Sequence, residues 1–365
     1  MSESFEIHSS IRDYAVETGP GTLDAWLGAN PEALVLCDQR LLGHWDNLKA
    51  QPRVIAVPAD EDRKNLGSVA EIIESMRDAG ANRQSHMLAV GGGVVQDLAT
   101  FAASVYMRGI DWTYCPTTLL GMVDSCVGGK SSINVGEYKN IVGNYYPPAR
   151  ILIDPVFCRT LPVTQRIAGL CEAAKICFAS DDETFRNYLG LVAQGDLFAD
   201  ESRLARLVSL SLRAKKGFIE EDEFDHGIRL LLNFGHTFGH ALEGASGFAL
   251  SHGVAVGVGV LAAIDFSRRI GLADGSHRRT RDFVAHVQGL LACVPGLDAV
   301  LDSIDAEEAL RRFRSDKKHQ RGHYAVILVD PQGVLTRRLV TADASTDAQI
   351  VRSFSMLKGL IHEVQ

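Results

Sequence analysis

The chain has 365 residues, and no apolar run approaches the roughly 20 residues that a membrane-spanning helix needs. Its opening, MSESFEIHSS, lacks the basic-then-apolar pattern of a secretory signal, so a cytoplasmic protein is expected. Cysteine is present without organisation. Cys37, Cys115, Cys126, Cys158, Cys171, Cys177 and Cys293 are odd in number, and no CxxC occurs. A disulfide framework and a zinc knuckle are therefore excluded, which leaves free, mostly buried thiols. Positive charge is in deficit, with 37 Lys and Arg against 45 Asp and Glu and a net charge of −8. Nucleic acid, whose phosphates select basic faces, is excluded as the main partner; a small phosphorylated ligand needs only a local basic pocket. Internal repeats and low-complexity tracts are also lacking, which excludes a solenoid or a linker-rich chain. Proline is scarce, 11 residues against 34 glycines, so the placement of the glycines is informative.

The length suits two domains. Up to residue 161, short apolar runs alternate with helical stretches. Ala33 to Cys37, Val54 to Val57, His86 to Val90, Trp112 to Cys115 and Ile151 to Ile153 read as buried strands, with helices over 69–79 and 94–106 between them. Strands alternating with helices predict an α/β architecture with a Rossmann-like, doubly wound parallel sheet. After Pro162 the texture becomes mostly α-helical, over 163–180, 181–194, 201–221, 229–246, 252–270, 277–291 and 306–315. The exception is Tyr324 to Val329, followed by the turn Asp330-Pro331-Gln332-Gly333, which reads as a hairpin. The expected domains are thus 1–161 and 162–365, and a cleft between two domains is the usual place for a small-molecule site.

Three groups of residues carry chemistry. Gly91-Gly92-Gly93-Val94-Val95-Gln96-Asp97 follows a strand and opens a helix. Glycines there let backbone approach a ligand, and the helix N-terminus offers N–H groups to a pyrophosphate. The run is not GxGxxG, and a tight turn without ligand is the bland alternative. Residues 108–147, RGIDWTYCPTTLLGMVDSCVGGKSSINVGEYKNIVGNYYP, combine the charges of Arg108, Lys130 and Lys139 with hydrogen-bonding Thr117, Thr118 and Asn140. Asp124 is a lone carboxylate in that basic setting, which keeps it ionised and able to hold a hydroxyl. A solvated loop is the alternative there, and the apolar flanks LLGMV and IVGNYYP weigh against it. Finally, His236 and His240 stand at i and i+4 on one helical face, His252 follows twelve residues later, and Glu172 is a lone carboxylate on an apolar helix. Two histidines and a carboxylate form the ligand set of a catalytic zinc, but which pair of histidines binds stays open, and Glu243 is a rival carboxylate.

Taken together, GGGVVQD, RG, PTTLLGMVDSCVGGK, KN, ExxK, LLN, GHTFGHALE, SHG and DKK, in that order from about residue 34 to 330, resemble the dehydroquinate synthase family of sugar phosphate cyclases. The resemblance implies an NAD domain, a helical metal- and substrate-binding domain, a catalytic zinc (or cobalt) and a homodimer. It implies Glu172, His236 and His252 as metal ligands, with His240 left to the substrate side. The catalytic set it implies is Asp124, Lys130, Lys175, Lys215, Arg229, Asn233 and His240, with Arg108, Lys139, Asn140 and Lys317 binding substrate. For NAD it implicates Asp38, Glu61, Lys64, Gly92, Gly93, Asp97, Thr117, Thr118, Phe157, Thr160 and Leu161. The chain departs from the family pattern at Gln96 and Thr100, where glycines are usual, at Tyr138, and in the cysteines flanking Glu172.

The implied reaction is that of the shikimate route to aromatic amino acids. NAD oxidises C5 of 3-deoxy-D-arabino-heptulosonate 7-phosphate, phosphate leaves by β-elimination, C5 is reduced again, and aldol closure gives 3-dehydroquinate. Alternatives are a specialised cyclase of amino-dehydroquinate or valiolone type and a metal-dependent polyol or glycerol dehydrogenase, whose small neutral substrate would need few of these basic residues.

Overall fold

Runs such as LVLCD and HMLAVG alternate nothing: almost every residue is apolar, and almost every residue is buried. A strand covered on both faces reads that way, and it belongs inside a parallel sheet. The computed structural model describes residues 3–136 and 138–362, and the chain divides into two compact units. The first comprises Met1–Leu161 with Leu191–Glu223, the second Pro162–Gly190 with Phe224–Gln365. The first break falls between Leu161 and Pro162. Segment 191–223, expected in the second domain, packs with the first.

The first unit is built on a seven-stranded sheet in the order β1-β2-β9-β6-β5-β3-β4. Its strands are β1 (Glu3–Ile7), β2 (Tyr14–Thr18), β3 (Leu34–Asp38), β4 (Val54–Val57), β5 (His86–Gly91), β6 (Asp111–Pro116) and β9 (Arg150–Ile153). β1 runs antiparallel to β2, and every other pairing in the sheet is parallel. A separate two-stranded sheet pairs β7 (Ile133–Val135) antiparallel with β8 (Tyr138–Val142). The chain lays β4 on one side of β3 and then crosses to place β5 on the other. That reversal is a topological switch point, and ligands of doubly wound sheets bind outside the carboxyl ends of the strands there. Asp38 closes β3 and Gly91 closes β5, so those two ends define the crevice. Helix Glu201–Glu221, capped by Asp200 accepting from the Arg203 N–H, carries Lys215 into this unit.

The second unit is helical, with one hairpin of β10 (His323–Val329) and β11 (Leu335–Thr341). At its centre lies helix His252–Arg269, buried on every side from Gly253 to Ser267, the pattern of a core helix. The helix expected over 229–246 is interrupted. Ile228–Asn233 is a 3-10 turn, and the α-helix begins only at His236. Gly235 between them has φ +76, a left-handed conformation that no α-helix accommodates. All seven cysteines are free; Cys293 is exposed and the rest are buried. Among the described residues no helix is long and apolar enough to cross a membrane.

Candidate active site

The glycine turn of the first unit sits at the switch point. Gly92 is the N-cap of helix Gly93–Val105, and among the described residues no side chain caps that end. Its first-turn N–H groups therefore point outward unclaimed by a cap, the arrangement that receives a phosphate. A Cβ added to Gly93 would meet nothing within 4 Å, whereas one at Gly92 would lie 3.0 Å from Thr118 Cγ2. Thr117 donates its N–H to the Gly91 carbonyl at 3.0 Å, which brings the end of β6 alongside the turn. Phe157 lies under Trp45, ring centroids 4.6 Å apart, and Thr160 and Leu161 bond back into the same 3-10 turn after β9. Asp38 accepts from the Arg40 N–H at 3.0 Å.

Beside the turn lies a polar knot centred on the buried Lys64. Lys64 Nζ reaches Asp97 Oδ2 at 3.1 Å, Asn140 Oδ1 at 2.7 Å and Glu61 Oε1 at 3.4 Å. Asp97 also accepts from the Ser132 N–H at 2.9 Å and the Ser132 hydroxyl at 3.0 Å. Burial raises the Asp97 pKa above its ordinary value, and the Lys64 charge and Ser132 donors oppose that rise. Asn140 holds a left-handed backbone, φ 57, and donates its N–H to Asn134 Oδ1, which in turn joins Glu61.

Asp124 belongs to a wide, π-type turn over Gly121–Ser125. Lys215, buried, binds it twice, 2.7 Å to Oδ1 and 2.6 Å to its carbonyl oxygen. Lys130 is placed with its ammonium 5.9 Å from the Tyr145 ring centre. Lys139 is exposed on β8, and Arg108, with φ 70, is exposed just after helix Gly93–Val105.

In the second unit, helix Val163–Ser180 presents Glu172 wholly buried. Among the described residues its Oε1 finds no hydrogen-bond donor, yet His252 Nε2 stands 3.5 Å and His236 Nε2 3.8 Å from it. Lys175, one turn along, pairs with Oε2. The imidazoles of His236, His240 and His252 converge, with ligating atoms all within 4.8 Å of one another. Burial and then the Lys175 ammonium push the His236 pKa well below its usual value, which keeps the ring neutral, the form that binds a metal. His252 is held by Glu243, whose Oε2 lies 3.2 Å from Nδ1, leaving Nε2 turned toward Glu172. A carboxylate behind a histidine fixes its tautomer and strengthens it as a ligand. Burial lowers the His252 pKa, but Glu243 and the Glu172 charge outweigh it and leave the value raised.

The backbones under these histidines touch. A Cβ on Gly259 would collide with the Gly235 carbonyl and the Gly239 N–H, and one on Gly239 would lie 2.9 Å from the Ala255 carbonyl. Helices His236–Ala245 and His252–Arg269 can approach this closely only without side chains at those points.

Two family models match consecutive stretches of the chain, 3-dehydroquinate synthase N-terminal over residues 54–168 and 3-dehydroquinate synthase C-terminal over residues 169–319. The chain belongs to the 3-dehydroquinate synthase family. It is 35% identical over 336 residues to the 3-dehydroquinate synthase of Xylella fastidiosa strain M23, covering 86% of this chain and 89% of that one. Among solved structures it is similar to a 2-epi-5-epi-valiolone synthase from Streptomyces hygroscopicus subsp. jinggangensis 5008 with NAD+ and Zn2+ bound. That likeness has a TM-score of 0.79 and 25% identity over 96% of this chain and 99% of the other. A 2-deoxy-scyllo-inosose synthase, solved with carbaglucose-6-phosphate, NAD+ and Co2+, shares the fold at TM-score 0.80, 23% identity and the same coverage.

The structure gathers part of the set expected from sequence into three groups: the crevice with the Lys64 knot, the Asp124–Lys215 pair, and the histidines around Glu172. Arg229 is buried in the 3-10 turn, and Asn233, in the same turn, donates to the Leu230 carbonyl. Lys317 is exposed, and it is the neighbouring Lys318, paired with Asp316 at 3.1 Å, whose charge bears on His236 and His240. Sequence reasoning also passed over Ser132 and Asn134, which complete the Lys64 knot, and left Glu243 as a rival ligand instead of the partner of His252. The second lysine of DKK and the Glu243 that follows HTFGHAL were the available signals.

Proposed function

We propose that this enzyme is a 3-dehydroquinate synthase, a phosphorus–oxygen lyase that turns 3-deoxy-D-arabino-heptulosonate 7-phosphate into 3-dehydroquinate and inorganic phosphate. The observation that carries the reading is the match to both halves of the family across residues 54–319. The donor sets supply independent support. A buried carboxylate oxygen without a donor, faced by two imidazole nitrogens, is costly unless a cation joins them, so Glu172, His236 and His252 fit a divalent metal. The uncapped helix end beside Gly93 fits the pyrophosphate of NAD. When bound, zinc or cobalt supplies Lewis acidity that eases ionisation of a substrate hydroxyl, and NAD supplies a hydride acceptor restored within each cycle.

The chain's own residues do the rest. Glu243 keeps His252 turned toward Glu172. Lys175, held by Glu172, presents an ammonium beside the metal ligands and is assigned to orienting the substrate's oxygens. Lys215 pairs with the Asp124 carboxylate and fixes it, which suits Asp124 to receiving a hydroxyl. Arg229, with His240 and Asn233 near it in sequence, is assigned to the substrate's carboxylate, where a guanidinium binds two oxygens at once. Lys130, Arg108 and Lys139 are assigned to the phosphate. Asn140, bonded to Lys64, belongs with the cofactor-side knot as much as with substrate. The reading includes a homodimer at work in the cytoplasm.

The test is a panel of heptulosonate phosphate, sedoheptulose 7-phosphate and glucose 6-phosphate, with phosphate release and product mass recorded. Phosphate and the mass of dehydroquinate are expected from the first alone, with loss of activity on chelation and recovery with zinc. Turnover of sedoheptulose 7-phosphate in its place would overturn the assignment in favour of a valiolone-type cyclase. Net NADH from glycerol would make it a polyol dehydrogenase.

A further inference from the structure

Gln96 has a long polar side chain that is almost wholly buried on helix Gly93–Val105. A buried primary amide is costly unless both its ends are satisfied. Here a single residue satisfies both. Gln96 Nε2 donates to the Ser125 carbonyl at 2.6 Å, and Oε1 accepts from the Ser125 hydroxyl at 2.8 Å. The carbonyl can only accept, so the orientation of the amide is fixed by its partner. The main chain of Gln96 is equally committed, since its N–H donates to the Gly92 carbonyl at 3.0 Å and its carbonyl accepts the Thr100 hydroxyl at 2.7 Å.

Gln96 thus joins two parts of the first unit: the carbonyl of the glycine turn and the residue that follows Asp124. The Gly121–Ser125 segment is a π-type turn, an irregular winding found often at functional positions. From the other side, helix Glu201–Glu221 holds it through Lys215 on Asp124 and through the Ser211 hydroxyl, which donates to the Val123 carbonyl at 2.9 Å. Lys215 fixes where the Asp124 carboxylate points. Gln96 fixes where the backbone that carries it stands relative to the glycine turn.

From this arrangement we infer that Gln96 is a positioning residue, acting through Ser125 to hold the Asp124 carboxylate in register with the Gly92–Gly93 turn. The inference rests on the reading of that turn and of Asp124 given above. Gln96 touches neither substrate nor cofactor in this role. It sets the distance between Asp124 and the glycine turn, which do.

The test is a double-mutant cycle on the metal-loaded holoenzyme, crossing Gln96→Ala with Asp124→Asn. It uses whichever of the three sugar phosphates the unmodified enzyme turns over, so a wrong substrate and a wrong role for Gln96 give different results. Gln96→Ala alone is expected to lower kcat about tenfold, with the NAD+ dissociation constant, read by fluorescence titration, changing less than about twofold. In the Asp124→Asn background the same change should lower kcat less than about twofold, because the group it positions is already gone. Equal losses in both backgrounds would overturn the inference, as would NAD+ affinity falling in step with kcat. Gln96→Glu keeps the acceptor for the Ser125 hydroxyl but sets a second acceptor against the Ser125 carbonyl, so it should behave like alanine; full activity in that variant would also refute the role. Should Gln96→Ala not fold, Ser125→Ala removes only the hydroxyl bond, and unchanged kcat there would refute it.

Discussion

Replacing Lys64 by methionine keeps the stem and deletes the ammonium at the centre of the polar knot. The Lys64 and Asp97 side chains are 8% and 17% exposed, so this ion pair behaves as buried and not as a surface one. Removing one partner of a buried pair costs about 3–5 kcal/mol because the other charge is left behind. Asp97 keeps two donors from Ser132, which places the cost near the lower end, about 3 kcal/mol. For a unit of this size each kcal/mol moves the midpoint by about 2–4 °C, so Lys64→Met should unfold about 6–12 °C earlier at pH 8.

The loss should depend on pH with a definite sign. Burial already raises the Asp97 pKa, and without Lys64 it rises further. A carboxyl whose folded pKa exceeds its unfolded value makes the folded state the tighter proton binder, so stability falls as pH climbs from the unfolded value, about 4, through the folded one. The deficit of Lys64→Met relative to the unmodified protein should therefore be smaller at pH 5 than at pH 8, measured by circular dichroism melts without NAD. Adding Asp97→Asn to Lys64→Met should recover part of the loss at pH 8, since the orphaned charge is then gone. A midpoint within about 2 °C of the unmodified protein at pH 8, or an equal deficit at both pH values, would refute the reasoning.

Glu243→Gln should fold normally yet bind zinc about 10–100-fold more weakly in a chelator competition, because His252 loses the carboxylate that orients it; unchanged affinity would show that Glu243 does not support the ligand. Gly93→Ala should keep its melting midpoint, as its Cβ meets no protein atom, while NAD+ affinity falls at least about tenfold by titration. Equal NAD+ binding by that variant would show that the space beside Gly93 is not the cofactor's.

The strands at the centre of the sheet were legible because burial on both faces leaves an uninterrupted apolar run, as in residues 34–38 and 86–91. The edge was not. β1 and β2, with sequences ESFEI and YAVET, interleave glutamates with apolar residues, and β8, YKNIV, is exposed along almost its whole length. Local periodicity identified helix 201–221 but not the unit it packs with, because that choice is made by long-range contacts such as Lys215 on Asp124. The break at Gly235 was hidden because glycine within a helical pattern is tolerated, and only its left-handed backbone shows the interruption. At the site, charged and imidazole residues at distinctive spacing stood out from the sequence. Ser132 and Asn134 did not, and Gln96 stood out only as a departure from the family pattern, since ordinary polar residues acquire a role only from the partners that folding brings to them.

The bare backbone contact between helices His236–Ala245 and His252–Arg269 bears on how this protein can vary. The approach of the two helices that carry His236 and His252 is limited by main-chain contacts at Gly235, Gly239 and Gly259, with the Val260 side chain also against Gly235. Aliphatic residues around the two helices can therefore drift in size over many generations without opening or closing the histidine cluster. The glycines have no such latitude, since the smallest addition to Gly259 must drive the helices apart and carry the histidines with them. A survey of natural variants should find the metal-binding geometry preserved through exchanges of core residues and lost through single methyl groups at these three positions.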